Sequence, residues 1–231
     1  MANLCIIPAR GGSKRIPRKN IKDFLGKPII AYSIEAAIDS RLFDEVMVST
    51  DDTEIAEIAK QFGATVPFLR SAKNSDDFAS TIDVIDEVVE EYGKKGQIFD
   101  NCCCIYPTAP FLNSTKLTEA FQLLKSNKYD VVFPVIPFSF PIQRAVKRNE
   151  NGKISMFTPE YLTSRSQDLE ASFHDSGQFY FFDIQEVLSQ RKLWTSNTGC
   201  IVISELEGQD IDNLDDWKLA ELKYQMITEE N

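Results

Sequence analysis

The chain has 231 residues, of which 43% are apolar and 26% charged, and its formal net charge is −10. This balance is typical of a folded domain with a sizeable core, and it excludes a disordered chain. The charge is unevenly placed, because residues 1–30 carry a net +6 and the remainder carries −16. A general nucleic-acid-binding surface is therefore not expected, whereas a local anion site near the N-terminus is compatible with the sequence.

The sequence shows no signal-peptide pattern and no apolar run approaching the roughly 20 residues of a membrane span. Its five cysteines are odd in number and irregularly spaced, which predicts reduced thiols in a cytoplasmic protein without a membrane partner. The run Cys102–Cys104 falls in a strand-like stretch, where packing in the core is favoured over a zinc site. His174 is the only histidine, which excludes any catalytic scheme that needs two.

The first half of the chain alternates between strand and helix patterns. The predicted elements are, in order, a strand at 3–8, a helix at 28–39, a strand at 45–50, a helix at 53–62, a strand at 64–69, a helix at 80–92, a strand at 101–106, a helix at 114–126 and a strand at 130–136. Such alternation implies βαβ units and hence a mainly parallel sheet covered by helices on both faces. Ligands of such sheets bind beyond the carboxyl ends of the strands.

The pattern breaks after Pro137. Residues 137–182 are rich in Phe, Pro and polar side chains, with strand-like pieces at 154–158 and 178–182. We interpret this stretch as an excursion from the main sheet. A strand at 199–204 and an amphipathic helix at 213–226 then close what we expect to be one domain over residues 1–231.

A glycine-rich basic loop, Ala9–Asn20, follows the first predicted strand. Gly11 and Gly12 permit positive φ angles and a close approach of a ligand to backbone N–H groups. Five cations fall within ten residues: Arg10, Lys14, Arg15, Arg18 and Lys19. Their mutual repulsion favours a bound polyanion, for which a nucleoside triphosphate is the natural candidate, over a merely solvated basic loop. The loop matches neither the P-loop nor the dinucleotide-binding fingerprint.

Two aspartates, Asp210 and Asp212, follow the last predicted strand. Residues i and i+2 of an extended segment face the same side, which turns Ile211 away. Two carboxylates together with phosphate oxygens are a usual way to hold Mg²⁺, and the absence of Cys and His from the pair implies a hard cation. The alternative is an acidic loop that caps the next helix, since Asp215 and Asp216 are close by.

The segment 7–22, IPARGGSKRIPRKNIK, resembles the signature of cytidylyltransferases that activate nonulosonic (sialic-type) acids, and in particular their pseudaminic acid branch. Further matching stretches are VSTDD (48–52), PFLRS (67–71), DDFAST (76–81), IYPTAP (105–110), FPIQRA (140–145), RSQDLE (165–170), HDSGQFY (174–180) and QDID (209–212). The resemblance covers nearly the whole chain. It implies a three-layer α/β/α nucleotidyltransferase fold, Rossmann-like, with a small β-rich excursion for dimerisation and sugar binding.

The resemblance also implies the reaction, in which CMP passes from CTP to the anomeric hydroxyl of pseudaminic acid and pyrophosphate leaves, with Mg²⁺ as cofactor and a homodimer as the assembly. Relatives specific for N-acetylneuraminate carry Gln where this chain has Tyr106, and Arg-Pro-Asn-Gly where it has residues 174–177. These departures favour a di-N-acylated acid such as pseudaminate. The same chemistry on legionaminate, N-acetylneuraminate or 3-deoxy-manno-octulosonate, and a non-catalytic nucleotide- or RNA-binding module, remain as alternatives.

Carried over residue by residue, the resemblance implies four sets of site residues. The catalytic set is Arg10, Lys14, Lys19 and Asp212, with Asp212 or a metal-bound hydroxide as the base. The nucleotide set is Ala9, Arg10, Gly12, Ser13, Lys14, Asn20, Arg70, Ser80, Thr81, Tyr106, Pro107 and Thr108. The sugar set is Gln143, Arg144, Arg165, His174, Asp175, Gln178 and Tyr180, with Arg144 or Arg165 facing the sugar carboxylate. The metal set is Asp210 and Asp212.

Overall fold

The computed structural model describes residues 1–76 and 78–229. Within them the strands are β1 (Asn3–Pro8), β2 (Asp23–Phe24), β3 (Lys27–Pro28), β4 (Glu45–Ser49), β5 (Asn101–Ile105), β6 (Val131–Pro137), β7 (Val146–Arg148), β8 (Ile154–Met156), β9 (Phe173–Asp175), β10 (Phe179–Asp183) and β11 (Thr198–Val202). The helices are α1 (Ile29–Ser40), α2 (Thr53–Gln61), α3 (Thr81–Lys94), α4 (Ser114–Asn127), α5 (Ile184–Gln190) and α6 (Leu214–Glu229). Each predicted helix is present within a few residues of its expected bounds.

Side-chain caps set the starts of several helices. The Asp52 carboxylate accepts hydrogen bonds from the first-turn N–H groups of α2. At α3, Ser80 Oγ accepts from the Asp83 N–H while the Asp83 carboxylate accepts from the Ser80 N–H, which forms a capping box. These bonds satisfy N–H groups that have no partner within the helix.

One sheet organises the molecule, with strand order β11-β6-β10-β5-β1-β4. Strand β1 pairs in parallel with β4 and β5, and β11 pairs in parallel with β6. Strand β10 is inserted antiparallel between β5 and β6, and β9 pairs antiparallel with the end of β6. The expected α/β fold with a mainly parallel sheet is confirmed, and the carboxyl ends of β1, β4, β5 and β6 lie at one edge.

The assignment of residues 178–182 to the excursion is wrong. They form most of β10 in the middle of the main sheet, where Phe179, Phe181 and Phe182 are fully buried. A short apolar run buried on both faces is typical of a central strand, and alternation is not expected there. Residues 64–69 form no strand either, because they contribute a single bridge between Thr65 and Met47. Elements β2, β3, β7, β9 and α5 were not predicted.

The core lies in two layers on either side of the sheet. Cys5 and Ile7 of β1 pack with buried residues of α1, α2 and α4, whereas Leu4 and Ile6 pack with those of α3 and α5. Alternate residues of one strand thus serve opposite layers. A third cluster joins the basic loop region to α6 through Ile16, Phe24, Ile29, Tyr32, Phe111, Ile211, Trp217 and Ala220.

The cysteine run belongs to this core. Cys102, Cys103 and Cys104 are fully buried free thiols, and burial raises the pKa of each. No group of three or more His, Cys, Asp or Glu side chains that could hold a metal ion is found among residues 1–76 and 78–229. Core packing of the cysteines is therefore the interpretation that the structure supports.

The part of the excursion outside the main sheet is an arm, residues 138–172. It contains the β7–β8 hairpin, whose strands pair antiparallel, and several short 3₁₀ turns. Large apolar side chains are exposed along it, and Phe140 is 81% exposed. In the described part of the chain, no helix combines the length and the apolar character that crossing a bilayer requires.

Candidate active site

The basic loop is anchored to the N-terminus of α2. The Ala9 N–H donates to Ser49 O (2.9 Å), and the Gly11 N–H donates to Asp51 Oδ1 (3.0 Å). A Cβ atom on Gly11 would lie 2.6 Å from Asp52 Oδ2, so only glycine lets the loop pass this carboxylate. Gly12 has no atom within 4 Å of an added Cβ. The two neighbouring glycines therefore serve different purposes.

Arg18, near the C-terminal end of the loop, binds the start of α2. Its backbone adopts a left-handed conformation (φ 55°), and its guanidinium contacts the carboxylates of Asp52 and Glu54. The hydrogen bond from Arg18 is the main reason that the pKa of Asp52 falls to about 2. Nothing in the pattern of the loop distinguished Arg18 from its basic neighbours, because its partners lie more than thirty residues further along the chain.

A basic cavity of about 520 Å³ opens in front of the loop at the carboxyl edge of the sheet. It is lined by Pro8, Arg10, Ser13, Lys14, Arg15, Ile16, Lys19, Asn20, Tyr106, Pro107 and Thr108. Eight of the residues predicted to bind nucleotide or to catalyse its reaction are brought together here. The Asn20 amide donates to Arg10 O (3.0 Å), and Arg10 Nη1 donates to Asp76 O (3.0 Å), which orders the wall.

The remaining predicted nucleotide residues lie outside this lining. Arg70 is buried, donates from Nε to Ser49 Oγ (2.9 Å), and its pKa is lowered by burial. Thr81 Oγ1 lies 3.5 Å from the Tyr106 hydroxyl, which connects the start of α3 to the cavity. Ser80 caps α3, and Ala9 is fully buried and contributes its backbone.

A central cavity of about 450 Å³ continues the basic cavity. It is lined by Lys19, Tyr106, Thr108, Asp175, Ser176, Gly177, Tyr180 and Asp210, the first three of which also line the basic cavity. The Tyr180 hydroxyl donates to Asp175 Oδ2, and burial together with this carboxylate raises the pKa of Tyr180. Burial also raises the pKa of Tyr106. Two neutral phenols therefore line the same cavity as Lys19 of the basic loop and Asp175.

Asp210 of the carboxylate pair lines the central cavity, and Asp212 pairs with Arg15, which lines the basic cavity. Ile211 is 1% exposed in the third core cluster, which confirms that it turns away from the site. Lys19 Nζ donates to Ile211 O (2.7 Å), and Arg15 Nη1 lies 2.6 Å from Asp212 Oδ2. The pKa of Asp210 is raised by burial and by the neighbouring Asp212. Cations of the basic loop thus hold the segment that carries both aspartates.

These residues fit a hard divalent cation. Asp210 and Asp212 supply carboxylate oxygens, and each interacts electrostatically with Lys19. Mg²⁺ binds through one or two carboxylates and completes its shell with substrate phosphates and water.

A side cavity of about 470 Å³ branches from the central cavity. Its lining is Ile136, Pro137, Phe138, Ser139, His174, Asp175, Ser176, Glu205, Gly208, Gln209, Asp210 and Lys223, of which Asp175, Ser176 and Asp210 are shared with the central cavity. The His174 ring lies 4.9 Å from the Phe138 ring, and its Nδ1 is 3.0 Å from Asp175 O. The predicted sugar residues His174, Asp175 and Tyr180 thus lie along one continuous cleft.

Four predicted sugar residues do not line these three cavities. Gln143, Arg144 and Arg165 lie in the arm and bond within it, to Glu170 O, Ser166 Oγ and the Asp168 carboxylate respectively. Gln178 is buried, and its amide donates to Glu207 O (2.6 Å). Its amide nitrogen therefore supports the turn Glu205–Glu207, and its Oε1 has no hydrogen-bond partner.

Two lysines near the site were missed by the sequence analysis. Lys116 of α4 is buried and pairs with Glu207 (3.0 Å), while Lys223 of α6 donates to Glu205 O and Gly208 O (both 2.9 Å). They hold the 3₁₀ turn that precedes Asp210. Ser204 and Glu207 form a capping box, and their spacing is visible in the sequence. No local sequence pattern shows that lysines from two distant helices contact this turn.

Comparisons with known proteins agree with this geometry. A family model described as "Cytidylyltransferase" matches residues 4–191. The pseudaminic acid cytidylyltransferase of Campylobacter jejuni is 45% identical over 226 residues, covering 98% of this chain and 97% of the relative. The CMP-N,N'-diacetyllegionaminic acid synthase of Legionella pneumophila is 31% identical over 228 residues, covering 96% and 95%.

A solved structure of a CMP:2-keto-3-deoxy-manno-octonic acid synthetase complexed with CTP superposes with a TM-score of 0.70 at 18% identity, covering 99% of this chain and 100% of that one. At this identity the likeness shows the fold alone, and it confirms the predicted nucleotidyltransferase architecture. The family match and the relatives carry the assignment of activity class. The chain belongs to the cytidylyltransferase family and is a nucleotidyltransferase enzyme.

Proposed function

We propose that this protein transfers CMP from CTP to the anomeric hydroxyl of pseudaminic acid and releases pyrophosphate. The observation that carries the proposal is the continuous cleft that joins a cavity rich in cations to a carboxylate pair and to the predicted sugar residues. Relatives named for pseudaminic acid, at 45% identity over nearly the full length, support this sugar among the possible acceptors.

In this proposal the triphosphate lies in the basic cavity. Arg10, Lys14 and Lys19 neutralise the phosphates, and fixed cations stabilise the charge that develops on the leaving pyrophosphate. Ser13 and Asn20, with the backbone of Gly12, complete the cradle, and backbone groups around Ala9 face the cytosine edge. Arg70, Ser80, Thr81, Pro107 and Thr108 surround the cytidine, and Tyr106 stands between the cytidine and the sugar.

We propose Mg²⁺ as the cofactor, held by Asp210 and Asp212. When bound, it supplies positive charge at the phosphate oxygens and at the attacking hydroxyl. The new bond joins the anomeric oxygen to the α-phosphorus, and the bond from the α-phosphorus to the bridging oxygen breaks. Asp212 is our candidate acceptor for the hydroxyl proton. Lys19 orients the segment through its bond to Ile211 O.

The sugar acid is proposed to occupy the central and side cavities, against His174, Asp175 and Tyr180. The sugar carboxylate calls for a bidentate cation, and Arg144 and Arg165 carry suitable guanidinium groups. Both arginines bond within the arm. We therefore propose a homodimer in which the arm, with Gln143 and these arginines, reaches the cleft of the partner subunit.

Exposed apolar side chains support the arm as a contact surface, because a concentration of this kind on a surface marks an interaction site. Those on the arm and its flanks are Phe138, Phe140, Ile142, Val146, Ile154, Phe157, Leu162 and Phe173. The five free cysteines also fit a reducing compartment, and we propose a cytoplasmic location.

The deciding experiment measures pyrophosphate release with CTP and Mg²⁺ while the sugar acid is varied. We expect the highest kcat/KM with pseudaminic acid. Release with legionaminic acid or N-acetylneuraminic acid but not with pseudaminic acid would contradict the proposed substrate and leave the chemistry standing. Binding of CTP without release of pyrophosphate in the presence of any nonulosonic acid would favour the non-catalytic module instead.

A further inference from the structure

The side cavity has two chemically different walls. One wall is apolar and aromatic, formed by Ile136, Pro137 and Phe138 with the His174 ring packed 4.9 Å from Phe138. The other wall is polar and consists of the segment 205–210 with Lys223. A group that suits this cavity has an apolar end and hydrogen-bonding atoms at its other end.

The charge of the cavity restricts its ligand further. Three carboxylates line it, those of Asp175, Glu205 and Asp210, against the single ammonium of Lys223. The Lys223 ammonium already donates to Glu205 O and Gly208 O. A carboxylate or phosphate would be repelled from this cavity, whereas a neutral group with an N–H donor is attracted to carboxylate oxygens.

A buried hydroxyl marks the passage between the central and side cavities. Ser176 lines both cavities and is 5% exposed, and its Oγ has no hydrogen-bond partner. A buried polar atom without a partner costs on the order of 1–3 kcal/mol, which a ligand that bonds to it recovers. The Ser176 hydroxyl is therefore available for a hydrogen bond at the point where a sugar substituent would enter.

From these observations we infer that the side cavity binds one acylamino substituent of the sugar acid, with its methyl group on the Phe138–His174 wall and its amide at Ser176 and the acidic wall. The inference rests on the proposed function and deepens it. Sugar acids that lack the acylamino group at this position then lose a contact that diacylated acids make. Phe138 and Ser176 become specificity-determining residues for the acceptor.

The test compares diacetylated pseudaminic acid with two analogues, in each of which one acetamido group is replaced by a hydroxyl. Wild-type kcat/KM is expected to fall about ten-fold for one analogue and little for the other. Phe138→Ala should lower kcat/KM for the diacetylated acid about ten-fold through KM, with less than a two-fold effect on the affected analogue. Phe138 is 45% exposed, so its truncation should leave the fold intact.

Ser176→Ala provides the second variant. Because the Ser176 hydroxyl has no partner in the free protein, its removal should not lower Tm, while KM rises for the diacetylated acid and not for the affected analogue. A purely structural role predicts the reverse, with a lower Tm and equal losses for all acceptors. Ile98→Ala, an 84% exposed apolar truncation outside the cleft, is the matched control.

The outcomes separate the two proposals. Equal losses for the diacetylated acid and both analogues, or no loss in either variant, would overturn the acylamino assignment while CMP transfer stands. No pyrophosphate release by the wild-type protein with any nonulosonic acid would instead refute the proposed function itself.

Discussion

The basic cavity and the side cavity open from the same central cavity, and they have similar volumes but opposite charge. The basic cavity takes Arg10, Lys14, Arg15 and Lys19 from a single loop, whereas the side cavity is built from residues 136–139, 174–176, 205–210 and α6. A polyanion suits the first and a neutral substituent suits the second. Opposite charges at the two ends of one cleft would orient two substrates without a conformational change.

The largest effect is expected at Asp212, whose carboxylate pairs with Arg15 of the basic cavity and whose neighbour Asp210 lines the side cavity. Asp212→Asn removes one carboxylate of the proposed metal pair at nearly constant volume. We expect turnover to fall by about 10²–10³-fold, with a modest loss of CTP binding, because charge stabilisation in the transition state is lost. Steady-state kinetics and calorimetric CTP titration measure the two quantities.

Asp215→Asn is the matched control for that variant. The Asp215 side chain is 94% exposed, and its Oδ1 lies 3.8 Å from Lys218 Nζ, which makes a weak surface ion pair. It should retain wild-type turnover. Near-normal turnover in Asp212→Asn would refute the metal assignment, and equal losses in the two variants would indicate a general effect of the acidic segment.

A smaller effect is expected in the basic cavity alone, from Gly11→Ala. The added Cβ would meet Asp52 Oδ2 at 2.6 Å, and this carboxylate is held by Arg18 and by the first turn of α2. Overpacking of this kind costs about 1–3 kcal/mol, so Tm should fall by several degrees and KM for CTP should rise.

Gly12→Ala tests whether that loss is steric. Space is open around the Cβ position of Gly12, so its Tm should stay within about one degree of the wild type, since surface substitutions usually change stability by less than about 0.5 kcal/mol. A Tm as low as that of Gly11→Ala would mean that loop flexibility, and not the contact with Asp52, requires glycine.

The smallest effect concerns the pH dependence of stability. The pKa of Asp52 is about 2 in the folded protein, against an ordinary value of 3.8. Because the folded value is depressed, the ion pair stabilises the protein above pH 4 and this contribution is lost as the pH falls towards 2. Asp52→Asn keeps a good helix cap and removes the charge.

Urea unfolding of both proteins at several pH values measures this difference. The stability advantage of the wild type over Asp52→Asn should be constant above pH 4 and shrink between pH 4 and pH 2. An advantage that does not change with pH over that interval would show that the Arg18–Asp52 pair contributes no charge-dependent stability.

The contrast between the basic cavity and the side cavity also shows which features of the site can be predicted from the sequence. Most of the basic cavity follows from the Gly11–Gly12 pair and the surrounding cations, which are contiguous in sequence and follow a buried strand. Gln178 shows the opposite case, because its polar type and its place in a matching motif predicted a sugar contact. Its amide N–H donates to Glu207 O, on a turn nearly thirty residues away, and no local pattern predicts that bond.

The sequence by itself determined the alternation of strands and helices, the basic loop and the turned-away Ile211, because each depends on residues within a few positions of one another. Tertiary structure alone decided that β10 enters the centre of the sheet antiparallel and that Lys116 and Lys223 fasten the turn before Asp210. Tertiary structure also brought together the residues that line the side cavity. These features arise from contacts between distant segments, whose pairing depends on the packing of the whole core.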